Sequence, residues 1–136
     1  MADQGGIDPR AVFVVHGRNL TARKAVSDFL RAIDLRPLEW NVVAGQTGGA
    51  SPFVFEILER GFKLAQAVVI ILTPDEEVSL RSALRGADPG DAKTRLQSRP
   101  NVLFEAGMAF MRDRERTILL DFGCTDMLSD LHGILL

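Results

Sequence analysis

The run A-V-F-V-V-H-G-R-N, Ala11 to Asn19, decides the fold. Five consecutive apolar residues, three of them valine, leave no polar face. That is the pattern of a strand covered on both sides, as in a parallel sheet. The run stops at His16-Gly17-Arg18-Asn19, a polar loop at the strand's carboxyl end. Asn19 or Thr21 is suited to cap the helix that follows. In that helix Ala22, Val26, Phe29, Leu30 and Ile33 recur at helical spacing and form one apolar face. Arg23, Lys24, Asp28 and Arg31 occupy the rest, which reads as a solvated surface.

Outward from this unit the alternation repeats. Pro37 opens a short second strand, Leu38 to Val42, with Trp40 inside it and read as core. Ala44 to Pro52, A-G-Q-T-G-G-A-S-P, is a flexible loop with three glycines. Ser51 and Pro52 read as the N-cap and first-turn proline of the next helix. It carries Phe53, Ile57, Leu58, Phe62 and Leu64 and ends near Ala65. Ala67 to Leu72 is a third buried strand, ending in Thr73-Pro74-Asp75. The polar stretch from Asp75 to Ser98 is long for a connection in a compact domain and reads as a lid, an interface or disorder, with Glu76 to Leu84 a candidate helix. Thr117 to Phe122 is a fourth strand, Ser129 to His132 a helical turn, and Ile134 to Leu136 the start of a fifth strand. Residues 1–10 read as a flexible lead-in, and residues 11–136 as one domain, a fragment of a longer chain. Strand–helix alternation of this kind implies an α/β sandwich with a parallel sheet and right-handed crossovers.

The stretch R-P-N-V-L-F-E-A-G-M-A-F-M, Arg99 to Met111, carries the chemistry. Pro100 and Asn101 mark a helix start, by fixed φ and by capping. From Val102 onward Glu105 is the one charge in an apolar run, and a helix apolar nearly all round is expected to be buried. Burying an unpaired carboxylate costs several kcal/mol or shifts its pKa. Selection for stability alone would put Leu or Met there, so Glu105 is either paired or faces a cleft and does chemistry. Gly107 beside it removes a side chain and permits close approach. Parallel sheets bind ligands beyond the carboxyl ends of their strands, which gathers His16 to Asn19, Ala44 to Ser51 and Thr73 to Asp75 at one edge, within reach of the Glu105 helix.

Composition excludes several classes. With 46% hydrophobic and 25% charged residues the chain is an ordinary globular sequence. Its net charge of −2 offers no basic surface for nucleic acid or anionic lipid. No apolar run is long enough to span a membrane, and the N-terminus lacks a signal core. The single cysteine, Cys124, excludes an internal disulfide and a cysteine-based zinc cluster, and fits a cytoplasmic protein. No Gly-Lys-Ser/Thr follows the glycine loop, so it is not a P-loop; one glycine, Gly17, follows the first strand, so it is not a dinucleotide fingerprint. The clustered acids of a phospho-receiver are missing where His16 and Gly17 stand. His16 and His132 lack a second ligand at metal spacing, and no metal is expected. Ser51 lacks the G-x-S-x-G elbow of a hydrolase.

Four blocks nevertheless resemble a known family: V-F-V-V-H-G-R-N (Val12 to Asn19), T-G-G-A-S-P (Thr47 to Pro52), A-Q-A-V-V-I-I-L-T-P-D (Ala65 to Asp75) and R-P-N-V-L-F-E-A-G-M-A (Arg99 to Ala109). Together they are similar to the bacterial TIR-like family, the effector part of cyclic-nucleotide-triggered anti-phage systems. The resemblance runs from Val12 to His132, and its fourth block is the most specific. It implies a flavodoxin-like three-layer sandwich with a five-stranded parallel sheet, here with a truncated fifth strand. It also implies cleavage of NAD+ at the nicotinamide–ribose bond, with NAD+ as substrate and no cofactor. The family's catalytic glutamate falls on Glu105, and its mobile loop, which gates the site and contacts the next subunit, falls on Ala44 to Ser51.

That chemistry suits the residues. Nicotinamide in NAD+ is already cationic and leaves without a general acid, so one carboxylate near C1′ is sufficient to stabilise or trap the oxocarbenium. The expected substrate-binding set is His16, Gly17, Arg18, Thr47, Gly48, Ser51, Asp75 and Asn101, with Arg18 and the helix-start amides near Asn101 assigned to phosphates. Expected partners are NAD+, other TIR domains through self-assembly, and a fused or associated cyclic-nucleotide sensor. Two other classes stay open. A nucleoside deoxyribosyltransferase-like enzyme also uses a glutamate at C1′, and would release bases from nucleosides. A non-catalytic TIR adaptor would leave NAD+ intact at any degree of assembly.

Overall fold

A computed structural model describes residues 6–123. Its centre is a four-stranded parallel sheet built from β1 (Asp8–Val15), β2 (Arg36–Glu39), β3 (Ala65–Leu72) and β6 (Thr117–Asp121), in the order β2-β1-β3-β6. Four helices flank it: α1 (Leu20–Ala32), α2 (Trp40–Gly45), α3 (Val54–Leu64) and α4 (Pro100–Arg112). Alternate side chains of β1 point to opposite faces. Val12 and Val14 pack with Ala22, Val26 and Leu30 of α1. Ala11, Phe13 and Val15 pack with Ile57, Leu58 and Phe62 of α3 and with Val102, Ala106 and Ala109 of α4. This is the flavodoxin-like arrangement expected from the sequence, and the unbroken apolar runs of β1 and β3 follow from being covered on both faces. The expected helical turn Ser129 to His132 and fifth strand Ile134 to Leu136 lie outside the described residues.

The boundaries differ from expectation in ways that tertiary contacts explain. β1 begins at Asp8, inside the expected lead-in, because the Asp8 carboxylate accepts from the Arg10 N–H at 2.8 Å and from Arg36 Nη2 at 2.6 Å. β2 ends at Glu39, and Trp40 opens α2 instead of lying within the strand. The Trp40 ring stacks on Phe13, centroids 5.7 Å apart, and Val43 one turn on is fully buried, so packing overrides the strand preference of W-N-V-V. The glycine loop therefore starts at Gln46. Ser51 and Pro52 precede α3 without capping it; the N-cap is Phe53, whose N–H donates to Glu56 Oε2 at 2.8 Å.

The long connection is ordered as a hairpin. β4 (Glu76–Val78) and β5 (Arg95–Gln97) pair antiparallel, with short 3-10 turns at Ser82–Leu84 and Pro89–Ala92, so the expected helix from Glu76 to Leu84 does not form. The Ser98 hydroxyl donates to the Thr73 carbonyl at 2.9 Å and Arg99 pairs with Glu76 at 3.5 Å, fixing the hairpin base to the end of β3. α4 starts as expected at Pro100, but its N-cap is Arg99 and Asn101 caps nothing. Nor is α4 buried all round: Phe104 is 63% and Met111 89% exposed.

Candidate functional site

The strand order places β1 between β2 and β3, and the chain leaves β1 through α1 on one face and returns to β3 through α3 on the other. Such a reversal opens a crevice at the carboxyl ends of the strands. There a hollow of about 300 Å³ is lined by His16, Leu20, Arg23, Glu39, Trp40, Asn41 and Glu105. The first three come from the end of β1 and the start of α1, the next three from the β2–α2 corner. Glu105 enters from α4 one turn inside its N-terminus.

Glu105 makes no hydrogen bond or ion pair among the described residues, and burial alone pushes its carboxyl up from 4.5 to about 7. The guanidinium in the same hollow does not relieve it. Arg23 Nη1 donates to Glu39 Oε2 at 3.2 Å, and Arg23 Nε is buried with no partner. Phe13 supports one side of Trp40 and so holds the indole in the wall. His16 Nδ1 lies 2.8 Å from its neighbour's carbonyl, Gly17 O.

The loop beneath the hollow is clamped from β3. Asp75 Oδ2 accepts from the Arg18 N–H at 2.9 Å, and Oδ1 accepts from the Thr73 hydroxyl at 2.7 Å. A Cβ at Gly17 would collide with that carboxylate, so the close approach requires glycine. Asn19 caps α1, accepting from the Ala22 N–H at 3.0 Å.

Of the expected site residues, Glu105 and His16 line one hollow. Gly17 and Asp75 do not line it; Gly17 follows His16 in the chain, and Asp75 clamps that loop. Arg18 is exposed and engages Asp75 through its backbone. Asn101 is exposed on the first turn of α4. Thr47 lines a separate groove of about 450 Å³ against α3, its hydroxyl donating to the Ala44 carbonyl at 2.8 Å. Gly48 and Ser51 line neither. A Cβ at Gly107 meets nothing within 4 Å, so no close approach is served there. Sequence reasoning missed Arg23, Glu39, Trp40 and Asn41. The strand-end rule would have reached the last three had β2 been ended at Glu39.

A larger hollow of about 630 Å³ lies on the outside of α3 and α4, lined by Phe55, Leu103, Phe104, Gly107, Met108, Met111 and Arg112. Its one ionisable residue, Arg112, is held by Glu59, so it offers surface for packing and no group for acid–base work. Among the described residues no cluster of His, Cys, Asp and Glu could hold a metal ion, and no helix is long and apolar enough to cross a membrane.

Comparison with known proteins gives two results. The family described as "CAP12/Pycsar effector protein, TIR domain" matches residues 11–136. "Uncharacterized protein YuaY" of Escherichia coli (strain K12) is 28% identical over 127 residues, which cover 93% of this chain and 38% of that protein.

Proposed function

The chain belongs to the TIR-domain family of CAP12/Pycsar effectors, and from that premise we propose that it is an NAD+ glycohydrolase of bacterial anti-phage immunity. The observation that carries this reading is Glu105, a carboxylate without a counter-charge in the wall of a strand-end hollow. Such a group has little structural use, since a neutral side chain would be better tolerated there. It suits a reaction that develops positive charge. The C1′–N bond breaks with its electron pair passing to the pyridinium nitrogen, and nicotinamide leaves neutral. The charge appears on the ribose, where the Glu105 carboxylate stabilises it. Water then adds to C1′ and loses its proton, giving ADP-ribose.

The cationic substrate supplies the counter-charge that Glu105 lacks, so binding favours the ionised carboxylate. Trp40, presented beside Glu105, offers an aromatic face to a planar cationic ring. NAD+ is the substrate, no cofactor is invoked, and the domain works in the cytoplasm beside a fused or associated cyclic-nucleotide sensor. The test is nicotinamide release from NAD+ by concentrated protein, with Glu105→Gln in parallel and nucleosides offered separately. Release by both proteins alike, or cleavage of nucleosides alone, defeats the proposal.

A second reading has its own observation. Phe55 at 56%, Phe104 at 63% and Met111 at 89% exposure form an apolar patch around the outer groove, of the kind that marks a protein interface. It supports assembly with other TIR domains, either as the trigger of catalysis or, in an adaptor, as the whole function.

A further inference from the structure

We propose that Arg23 and Glu39 form a subsite for the vicinal diol of the substrate ribose, holding the sugar so that C1′ faces Glu105. The inference rests on the NAD+ reading above and adds the part of the substrate that this pocket recognises.

The pair leaves part of the guanidinium unused. A fork-to-fork pair makes two parallel hydrogen bonds to its carboxylate. Here one bond is made, from Nη1 to Oε2 at 3.2 Å, and Nε is left buried with no partner. Orphaned buried donors are rare, because a donor hidden from water loses its solvation with nothing in return. Both side chains are only partly shielded, at 31% and 36% exposure, and both line the hollow that holds Glu105. In this proposal the guanidinium turns about its single bond to Glu39 on binding, which brings the buried Nε to the ligand. The result is one donor and one acceptor, side by side, in a catalytic pocket.

The charges in the hollow select the ligand group. Glu39 and Glu105 both line it, so a phosphate entering there meets two acids against one arginine already committed to one of them. A cationic ring has no use for Arg23. A vicinal diol uses both members: one hydroxyl donates to Glu39, and the other accepts from Arg23 Nε. One of the diol carbons, C2′, is bonded directly to C1′, so anchoring the diol sets the reacting carbon against Glu105. A hollow of about 300 Å³ suits one nucleoside half, which leaves the pyrophosphate and adenosine outside its mouth.

The experiment measures binding in the Glu105→Gln background, so that substrate survives. Calorimetric affinity is compared for NAD+ and for an analogue lacking both hydroxyls on the nicotinamide ribose. Adding Glu39→Gln or Arg23→Gln is expected to weaken NAD+ about tenfold each, the loss of the charge that strengthens one hydrogen bond to the diol. The analogue should bind weakly throughout and change less than twofold, with thermal midpoints held within a few degrees. In the active protein the same changes should raise KM more than they lower kcat. Unchanged NAD+ affinity in both variants, or an equal loss for the analogue, overturns the diol subsite. If one variant fails to fold, the other decides. If NAD+ is neither bound nor cleaved, the NAD+ reading fails by itself. The subsite is then judged on free ribonucleosides against 2′,3′-dideoxyribonucleosides: a preference for the former that Glu39→Gln removes sustains it, and its absence ends it.

Discussion

The carboxylate of Asp75 fills the space that a side chain on Gly17 would need, and from there it accepts the Arg18 N–H. The end of β3 thus holds the β1–α1 loop in place, and that loop carries His16 and leads to Arg23 in the wall of the candidate site. Gly17→Ala should push Asp75 away, leaving the Arg18 N–H and the Thr73 hydroxyl without their acceptor. The expected loss is about 1–3 kcal/mol, as for overpacking a close contact. A thermal midpoint lowered by several degrees, together with reduced nicotinamide release, checks it. A variant as stable and as active as the parent would show that the loop does not depend on the clamp.

Glu105→Gln should abolish NAD+ cleavage while leaving the fold intact or firmer. Folding raises the Glu105 carboxyl from 4.5 to about 7, so the folded state favours the protonated form. The sign follows by linkage: below about pH 4.5 the group is protonated in both states, and above that the unfolded chain ionises first. Glu105 therefore makes the protein progressively less stable between about pH 4.5 and 7, and beyond pH 7 the penalty is constant. Glutamine has no such dependence. Denaturant melts across that range should show a shallower fall, or none, in the variant. Parallel curves for the two proteins would mean that Glu105 is not the strained group.

In the proposed mechanism the same carboxyl sets the pH profile of the reaction. With ionised Glu105 as the working form, kcat/KM should rise through a half-maximum near pH 7 in the free enzyme. Bound NAD+ places a cationic ring nearby and favours ionisation, so the inflection in kcat should lie below that in kcat/KM. Rates that fall with increasing pH across neutrality would assign the chemistry to a proton donor instead.

In the loop of residues 46–53 the glycines are not equivalent. Gly48 has φ 82, a left-handed conformation that a β-branched residue adopts only under strain, whereas a Cβ at Gly49 would make only an ordinary contact, 3.9 Å from the Pro52 nitrogen. Gly48→Val should cost about 1–2 kcal/mol and Gly49→Ala almost nothing. If the loop also gates the site, Gly48→Val should reduce turnover by more than its stability loss accounts for. Melting curves and turnover measured on the same preparations separate the two effects.

What could be read from the sequence alone follows the range of the interactions concerned. Ala11 to Val15 and Ala67 to Leu72 were legible because strands buried on both faces write that burial as unbroken apolar runs. Glu105 was legible because a charge in such a run is locally anomalous. Trp40 was misplaced because its position is set by Phe13, far away along the chain. The β4–β5 hairpin was unreadable because two three-residue strands are too short to show a period. Arg23 looked like a solvated helix residue, since its partner Glu39 is reached only once α1 folds back along β2. Asp75 reads from the sequence as a substrate ligand; the hydrogen bond it accepts from Arg18 is tertiary and leaves no mark in the local sequence, and the one from Thr73, two residues away, fits any turn.

The exposed face of α4 sets the last expectation. Phe104 and Met111 stand in solvent on the same helix whose inner side presents Glu105, and with Phe55 they ring an apolar groove. A contact on that groove bears directly on the helix that positions the Glu105 carboxylate. If assembly through it favours the competent arrangement, a monomer is active only in proportion to the fraction that reaches that arrangement unaided. A sensor that gathers copies raises the fraction through effective concentration. Specific activity should then climb steeply between nanomolar and high micromolar protein. Met111→Glu, at a position 89% exposed, should flatten that climb without moving the thermal midpoint, because it adds a charge where only a partner would bury it. A parent protein whose specific activity is already flat over the range would be a monomeric hydrolase. A steep climb that Met111→Glu leaves untouched would put the assembly contact on another face.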